Sequence, residues 1–212
     1  MRGVFLLLSI IALVQIVTAI PKSTSVVVET KIEASGIFYQ KERICYPYDV
    51  YEYILASVKE IGYSSLRDYV LSKVPEGIRG KVFYSEVFSE DFVLVVIETK
   101  YLTPKEIAAL SGGLIKVERE NSYIKFEDLS YANQSNAEDA WLHYYLEMPG
   151  EIINANAEIV HENKAEWHLR GKDIGRLYAV AKLSRIPSAN AFTVVVAFGI
   201  ALILKRYACR FH

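Results

Sequence analysis

The sequence predicts an α+β domain with an antiparallel sheet, carried between two hydrophobic ends. Three observations lead there. Apolar and polar residues alternate with period two through most of the middle of the chain, in runs separated by short turn signals. Helix signals are few and gather mainly after the first pair of runs. Two charge-poor hydrophobic segments, residues 4–20 and 186–204, lie at the extremes.

The ends set the expected location. Arg2, an apolar run and then Val17-Thr18-Ala19 have the layout of a secretory signal peptide, residues 1–19, with cleavage after Ala19. An uncleaved anchor is the alternative, because the run approaches the length of a span. Residues 186–204 carry no charge between Arg185 and Lys205, which predicts a C-terminal transmembrane helix. Lys205, Arg206 and Arg210 follow it, so the basic tail at 205–212 is expected on the cytoplasmic side. The domain at 20–185 is then extracytoplasmic, and the cell membrane is the expected location. Cys45 and Cys209 would face opposite compartments, so no disulfide framework is expected.

Within the domain, Val26, Val28, Thr30 and Ile32 alternate with Val27, Glu29, Lys31 and Glu33. A turn at Glu33-Ala34-Ser35-Gly36 and a return over 37–45 complete a first hairpin. Asp49, with Glu52 three residues on, is positioned to cap a helix whose apolar face is Val50, Ile54, Val58 and Ile61. Gly62 ends it, and Ser65-Leu66-Arg67-Asp68 starts a second short helix that Pro75 and Gly77 close. Residues 81–88 and 92–101 form a second hairpin across Ser89-Glu90-Asp91. Thr103-Pro104-Lys105-Glu106 combines a cap, proline at the first helical position and glutamate at the third, and Gly112-Gly113 ends that helix. A third hairpin spans 114–118 and 123–129, and a polar loop over 132–139 leads to strands at 140–147, 151–160, 164–169 and 176–183. A linker of a few residues after 183 would hold the domain close to the bilayer.

Composition excludes several classes. A net charge of −1 over 212 residues gives no field to gather nucleic acid. The 52% hydrophobic and 12% aromatic content is that of a chain with a core, not of a disordered tail. No nucleophile elbow or phosphate loop occurs. His143, His161, His168 and His212 show no helical zinc spacing, which leaves only a cross-strand pairing of His143 with His168. The reading carried forward is no metal, no cofactor and no enzyme. Asn133-Gln134-Ser135 makes Asn133 a glycosylation candidate.

The last block resembles a known family. Leu146-Glu147-Met148-Pro149-Gly150-Glu151-Ile152-Ile153-Asn154-Ala155-Asn156-Ala157 is similar to the strand, Pro-Gly, strand, small-residue-Asn segment of the LppM-like domain family. Ala165-Glu166-Trp167-His168-Leu169 resembles its tryptophan strand, and Leu177-Tyr178-Ala179-Val180 its closing strand. The resemblance implies an envelope protein with a curved antiparallel sheet, built from hairpins and packed on one or two helices, and a capacity for lipid or glycolipid binding. It transfers no catalytic residue. This chain lacks the lipobox cysteine that many members carry.

From the residues alone, Pro149-Gly150 reads as a bend or strand break at which glycine would supply a positive dihedral, and Trp167 as a core residue. A ligand cavity is expected between the first helix and the sheet. Tyr51, Ile54 and Val58 would line it from the helix, and Trp141, Tyr145 and Trp167 from strands. Tyr46, Tyr48, Tyr51 and Tyr53 allow an aromatic-lined cleft or an ordinary tyrosine-rich sheet. The functional expectation is a non-enzymatic, membrane-anchored protein binding a lipid, glycolipid or protein near the bilayer. An accessory subunit of a membrane complex is the alternative, and a hydrolase with unrecognised chemistry the third reading.

Overall fold

The computed structural model describes residues 25–132, 141–171 and 175–183. The expected signal segment, transmembrane helix, basic tail and Asn133 lie outside these residues. Among the described residues no helix is long and apolar enough to cross a membrane.

Eleven strands and three α-helices follow one another along the described chain. The first hairpin pairs β1 (Ser25–Ile32) with β2 (Phe38–Pro47), Ser25 opposite Cys45 and Ile32 opposite Phe38. Its turn uses Gly36 at φ +87°, and a Cβ there would meet Pro104 at 3.1 Å. Helix α1 (Tyr48–Glu60) and helix α2 (Leu66–Lys73) come next, then a 3-10 turn over Glu76–Lys81. Ser65 caps α2 by accepting from the Asp68 amide at 3.1 Å. Strands β3 (Val82–Phe88) and β4 (Phe92–Leu102) form the second hairpin. Helix α3 (Pro104–Leu110) opens on the expected capping box, in which Thr103 and Glu106 satisfy each other's backbone amides. The third hairpin is β5 (Ile115–Glu120) with β6 (Tyr123–Asp128).

The last block holds β7 (Trp141–Glu147), β8 (Glu151–Ala155), β9 (Ile159–His161), β10 (Lys164–Arg170) and β11 (Leu177–Lys182). Sheet A has seven strands in the order β3-β4-β2-β1-β7-β10-β9, and sheet B four in the order β5-β6-β11-β8. The core lies on one face of sheet A. Helix α1 covers β2 and β4 on that face, burying Val50, Tyr51, Ile54 and Val58. Sheet B covers the β1-β7-β10 side, where Phe126 and Tyr131 pack on Tyr144, and Tyr144 meets Trp167 edge to face.

Four expectations need correction. One antiparallel sheet becomes two, and β1 runs parallel to β7, from Ser25 opposite Trp141 to Lys31 opposite Glu147. A parallel pair needs a long crossover, and the whole chain from β2 to β6 provides it. The expected strand over 151–160 breaks in two, because the chain leaves sheet B for sheet A at Asn156. Asp49 is not the cap of α1; the N-cap is Pro47, without a side-chain hydrogen bond, and Ile61 falls at the exposed C-cap instead of on the buried face. Gly150 is not among the glycines with positive φ. Its glycine has a different cause: a Cβ would lie 2.1 Å from the Lys182 carbonyl oxygen, so only a residue without a side chain lets β11 pass.

Asn156 explains the break and ties the two sheets together. Its side-chain amide donates to the Arg176 carbonyl at 2.6 Å, and its Oδ1 accepts from the Tyr178 amide at 2.8 Å. The Trp167 indole N–H points at the Asn156 backbone carbonyl at 3.1 Å and at Oδ1 at 3.2 Å. Trp167 is thereby a core residue, as expected, at 1% exposure. The described chain begins in sheet A at Ser25, beside the start of β7, and ends at Leu183, which follows β11 of sheet B and lies beside Gly150 just past the end of β7. Seven residues of strand, about 20 Å, separate entry from exit.

Candidate functional site

Strand alternation places every second side chain of sheet A on the face opposite the core. Cross-strand register then orders those outer side chains into rungs. One rung reads Glu98, Lys41, Glu29, Tyr145, Glu166 across β4, β2, β1, β7 and β10. On β2, β1, β7 and β10 the next rung reads Tyr39, Lys31, Glu147, Lys164, with Lys100 on β4 beside it. These two rungs line a groove of about 560 Å³.

The charges in the groove alternate in sign. Lys31 pairs with Glu147 at 3.1 Å, and Lys100 with Glu98 at 3.1 Å. Glu29 is held by Arg43 from the neighbouring rung. Lys41 and Lys164 form no ion pair among the described residues, so two ammonium groups are left for a ligand. The aromatic component is Tyr39 and Tyr145. Tyr39 donates to the Glu33 carboxylate at 2.7 Å, and that bond pushes its phenol up to about 12. A bulge in β4 opposite Phe38 and Gln40 forces Tyr101 to φ 58° and sets its ring edge-on to Tyr39, with centroids 5.0 Å apart. A tyrosine in left-handed backbone is strained, and such strain concentrates where a surface binds.

The opposite face of the same strands is polar but closed. Thr30 donates to the Tyr144 hydroxyl at 2.8 Å, and Gln40 reaches both at 3.3 Å. Glu42, 2% exposed, accepts from the Tyr131 hydroxyl at 3.2 Å, and Asp128 is fully buried nearby. Burial lifts Glu42 to about 7 and Asp128 to about 6. Among the described residues both carboxyls are buried between the two sheets, Glu42 on β2 and Asp128 at the end of β6.

The structure does not bring the six expected ligand residues together. Tyr51, Ile54 and Val58 are 3%, 1% and 0% exposed, filling the contact between α1 and sheet A. Trp167 is buried on the inner face under sheet B. Trp141 and Tyr145 are on the outer face, and only Tyr145 lines the groove. Lys31, Lys41, Tyr39 and Lys164, which line the groove, are not among the expected residues. Their signal is present in the alternation of β1 and β2, whose outward positions read as ordinary solvent contacts until β7 and β10 join the same face.

No family model matches the chain. A protein of Archaeoglobus fulgidus, described as uncharacterised, is 38% identical over 160 residues, which cover 69% of this chain and 71% of that protein. Among solved structures, the NMR structure of the folded domain of Mycobacterium tuberculosis LppM aligns with a TM-score of 0.53 at 14% identity, covering 78% of this chain and 92% of that one. The likeness to LppM is one of fold. The residues behind the resemblance, Pro149-Gly150, Asn156 and Trp167, are those that join sheets A and B, so they specify architecture. This chain belongs to the family of the Archaeoglobus fulgidus protein, and its domain has the LppM-like fold.

Proposed function

We propose that this is a membrane-anchored envelope protein whose domain binds the polar portion of a lipid or glycolipid in the outer groove of sheet A, without catalysing a reaction. The observation that carries the reading is the groove itself. Alternating Lys and Glu with two phenol rings offers charge partners to a phosphate or ammonium group and flat faces to a sugar or glycerol unit. The groove also lies toward the end of sheet A at which the chain exits beside Gly150, three residues before the expected anchor at 186–204. A short tether on that side keeps a headgroup within reach. Lipid extraction and mass spectrometry of the protein purified from membranes tests the proposal. The expected result is a stoichiometric lipid or glycolipid that is lost in Lys41→Glu/Lys164→Glu. Equal lipid content in parent and variant removes the groove from the argument.

A second reading has its own observation. Edge strand β3 exposes Phe83, Val87 and Phe88, with Phe92 and Tyr48 exposed at the adjoining turn. Edges without lysine or proline invite pairing with another chain, which suits an accessory subunit of a membrane complex. Crosslinking from a photoreactive residue at position 87 in membranes distinguishes the two. A discrete protein adduct favours the subunit, and lipid adducts or none favour the first reading.

A further inference from the structure

We propose that His143 and His168 form a binding site for a divalent transition-metal ion, copper or nickel in preference to zinc, on the outer face of sheet A. The two residues face each other across β7 and β10, and their Nδ1 atoms are 2.8 Å apart. Imidazole nitrogens bind these metals at about 2.0–2.1 Å. Two such bonds to one ion, drawn from nitrogens this close, meet near a right angle. That is the cis arrangement of tetragonal Cu(II) or Ni(II), whereas a tetrahedral zinc site needs the nitrogens further apart.

The surroundings hold both rings in place. The other nitrogen of His168, Nε2, faces the Glu166 carboxylate at 3.6 Å. A carboxylate on that side favours a proton on Nε2 over one on Nδ1 by its charge, which leaves Nδ1 for a metal. The His143 ring lies parallel to Trp141, with centroids 6.0 Å apart and planes 5° from parallel. The His168 ring meets Tyr145 edge-on at 5.8 Å. With no metal, one Nδ1–H donates to the other ring's Nδ1 lone pair. Metal entry needs that proton to move to Nε2 of its own ring, so both Nδ1 lone pairs reach the ion and no net proton is released from a neutral pair.

No cluster of three or more histidine, cysteine or acidic ligands occurs among the described residues, so the protein supplies two ligands. Both histidines are half-buried, so water or a bound molecule can complete the shell. Tyr145 and Glu166 line the groove as well as flanking the site, so an anionic group held there is placed to be a third ligand.

The test uses the full-length chain in detergent, titrated with copper(II) sulfate and separately with nickel(II) sulfate. The expected result is one tight equivalent per chain, and a copper electron paramagnetic resonance spectrum with hyperfine coupling to two imidazole nitrogens. Glu166→Gln should weaken the site about 10- to 100-fold, as loss of an outer-shell partner does. His143→Gln/His168→Gln should abolish the two-nitrogen signal, while His161→Gln leaves it unchanged. The mutated rings lie on the outer face, and unchanged metal-free melting curves verify folding. A two-nitrogen signal that survives in the double variant, a one-nitrogen spectrum in the parent, or no stoichiometric uptake overturns the proposal.

Discussion

Replacing Glu42 by glutamine should stabilise the domain at neutral and alkaline pH and do almost nothing in acid. Glu42 is buried on the inner face of β2, with Oε1 bonded to Tyr131 and Oε2 without a partner among the described residues. Burial is the largest cause of its rise from 4.5 to about 7, and the Asp128 charge adds to it. In the window between those values the folded state holds a proton that the unfolded chain has released, so stability falls as pH rises through it. At about 1.4 kcal/mol per pH unit, ionising Glu42 in the fold costs about 3 kcal/mol. Glutamine keeps an acceptor for Tyr131 and cannot ionise. Above pH 7 the variant should therefore melt about 5–10 °C higher for a domain of this size. Below pH 4.5 parent and variant should coincide within a degree or two. The assay is thermal unfolding followed by fluorescence of buried Trp167, from pH 4 to 9. Parallel profiles for parent and variant, or a parent that gains stability from pH 5 to 7, would refute the argument.

Asp128→Asn should act in the same direction over a window from 3.8 to about 6, measurable in the same scan. Gly150→Ala should destabilise by about 1–3 kcal/mol or more in chemical denaturation, because its Cβ displaces the Lys182 carbonyl. Asn156→Ala should lower the melting temperature and loosen Trp167, seen as a red-shifted emission, since it strands the Tyr178 amide and removes one acceptor from the indole. Tyr101→Gly relieves about 1 kcal/mol of left-handed strain and should raise stability, yet reduce lipid retention by removing the ring that braces Tyr39.

Local features of the sequence translated well into structure. The capping box at Thr103 and Glu106, the serine cap of α2 and the three hairpins all follow from interactions within a few residues. Long-range pairing did not. Nothing in the alternation of β1 distinguishes a parallel neighbour from an antiparallel one, and its contact with β7 is made by residues more than a hundred positions apart. The break at Asn156 was hidden for a related reason. Ile152 and Ile153 are equally apolar, but the first is buried opposite Ala181 and the second is exposed where the β8–β11 register shifts. The signals behind the expected ligand residues, aromaticity and the helix face, are signals of the core. The groove is made of lysine, glutamate and tyrosine, and these carry no signal until register aligns them.

Entry and exit at opposite ends of β7 have a mechanical consequence. A pull applied between Ser25 and Leu183 acts along the strands of sheet A, since β1 and β7 are parallel neighbours. It loads the hydrogen bonds that join β1 to β2 and β7 together, in shear, instead of peeling them one after another. Under such a load the strand can separate only when several of these hydrogen bonds fail together, a different route from the one heat takes.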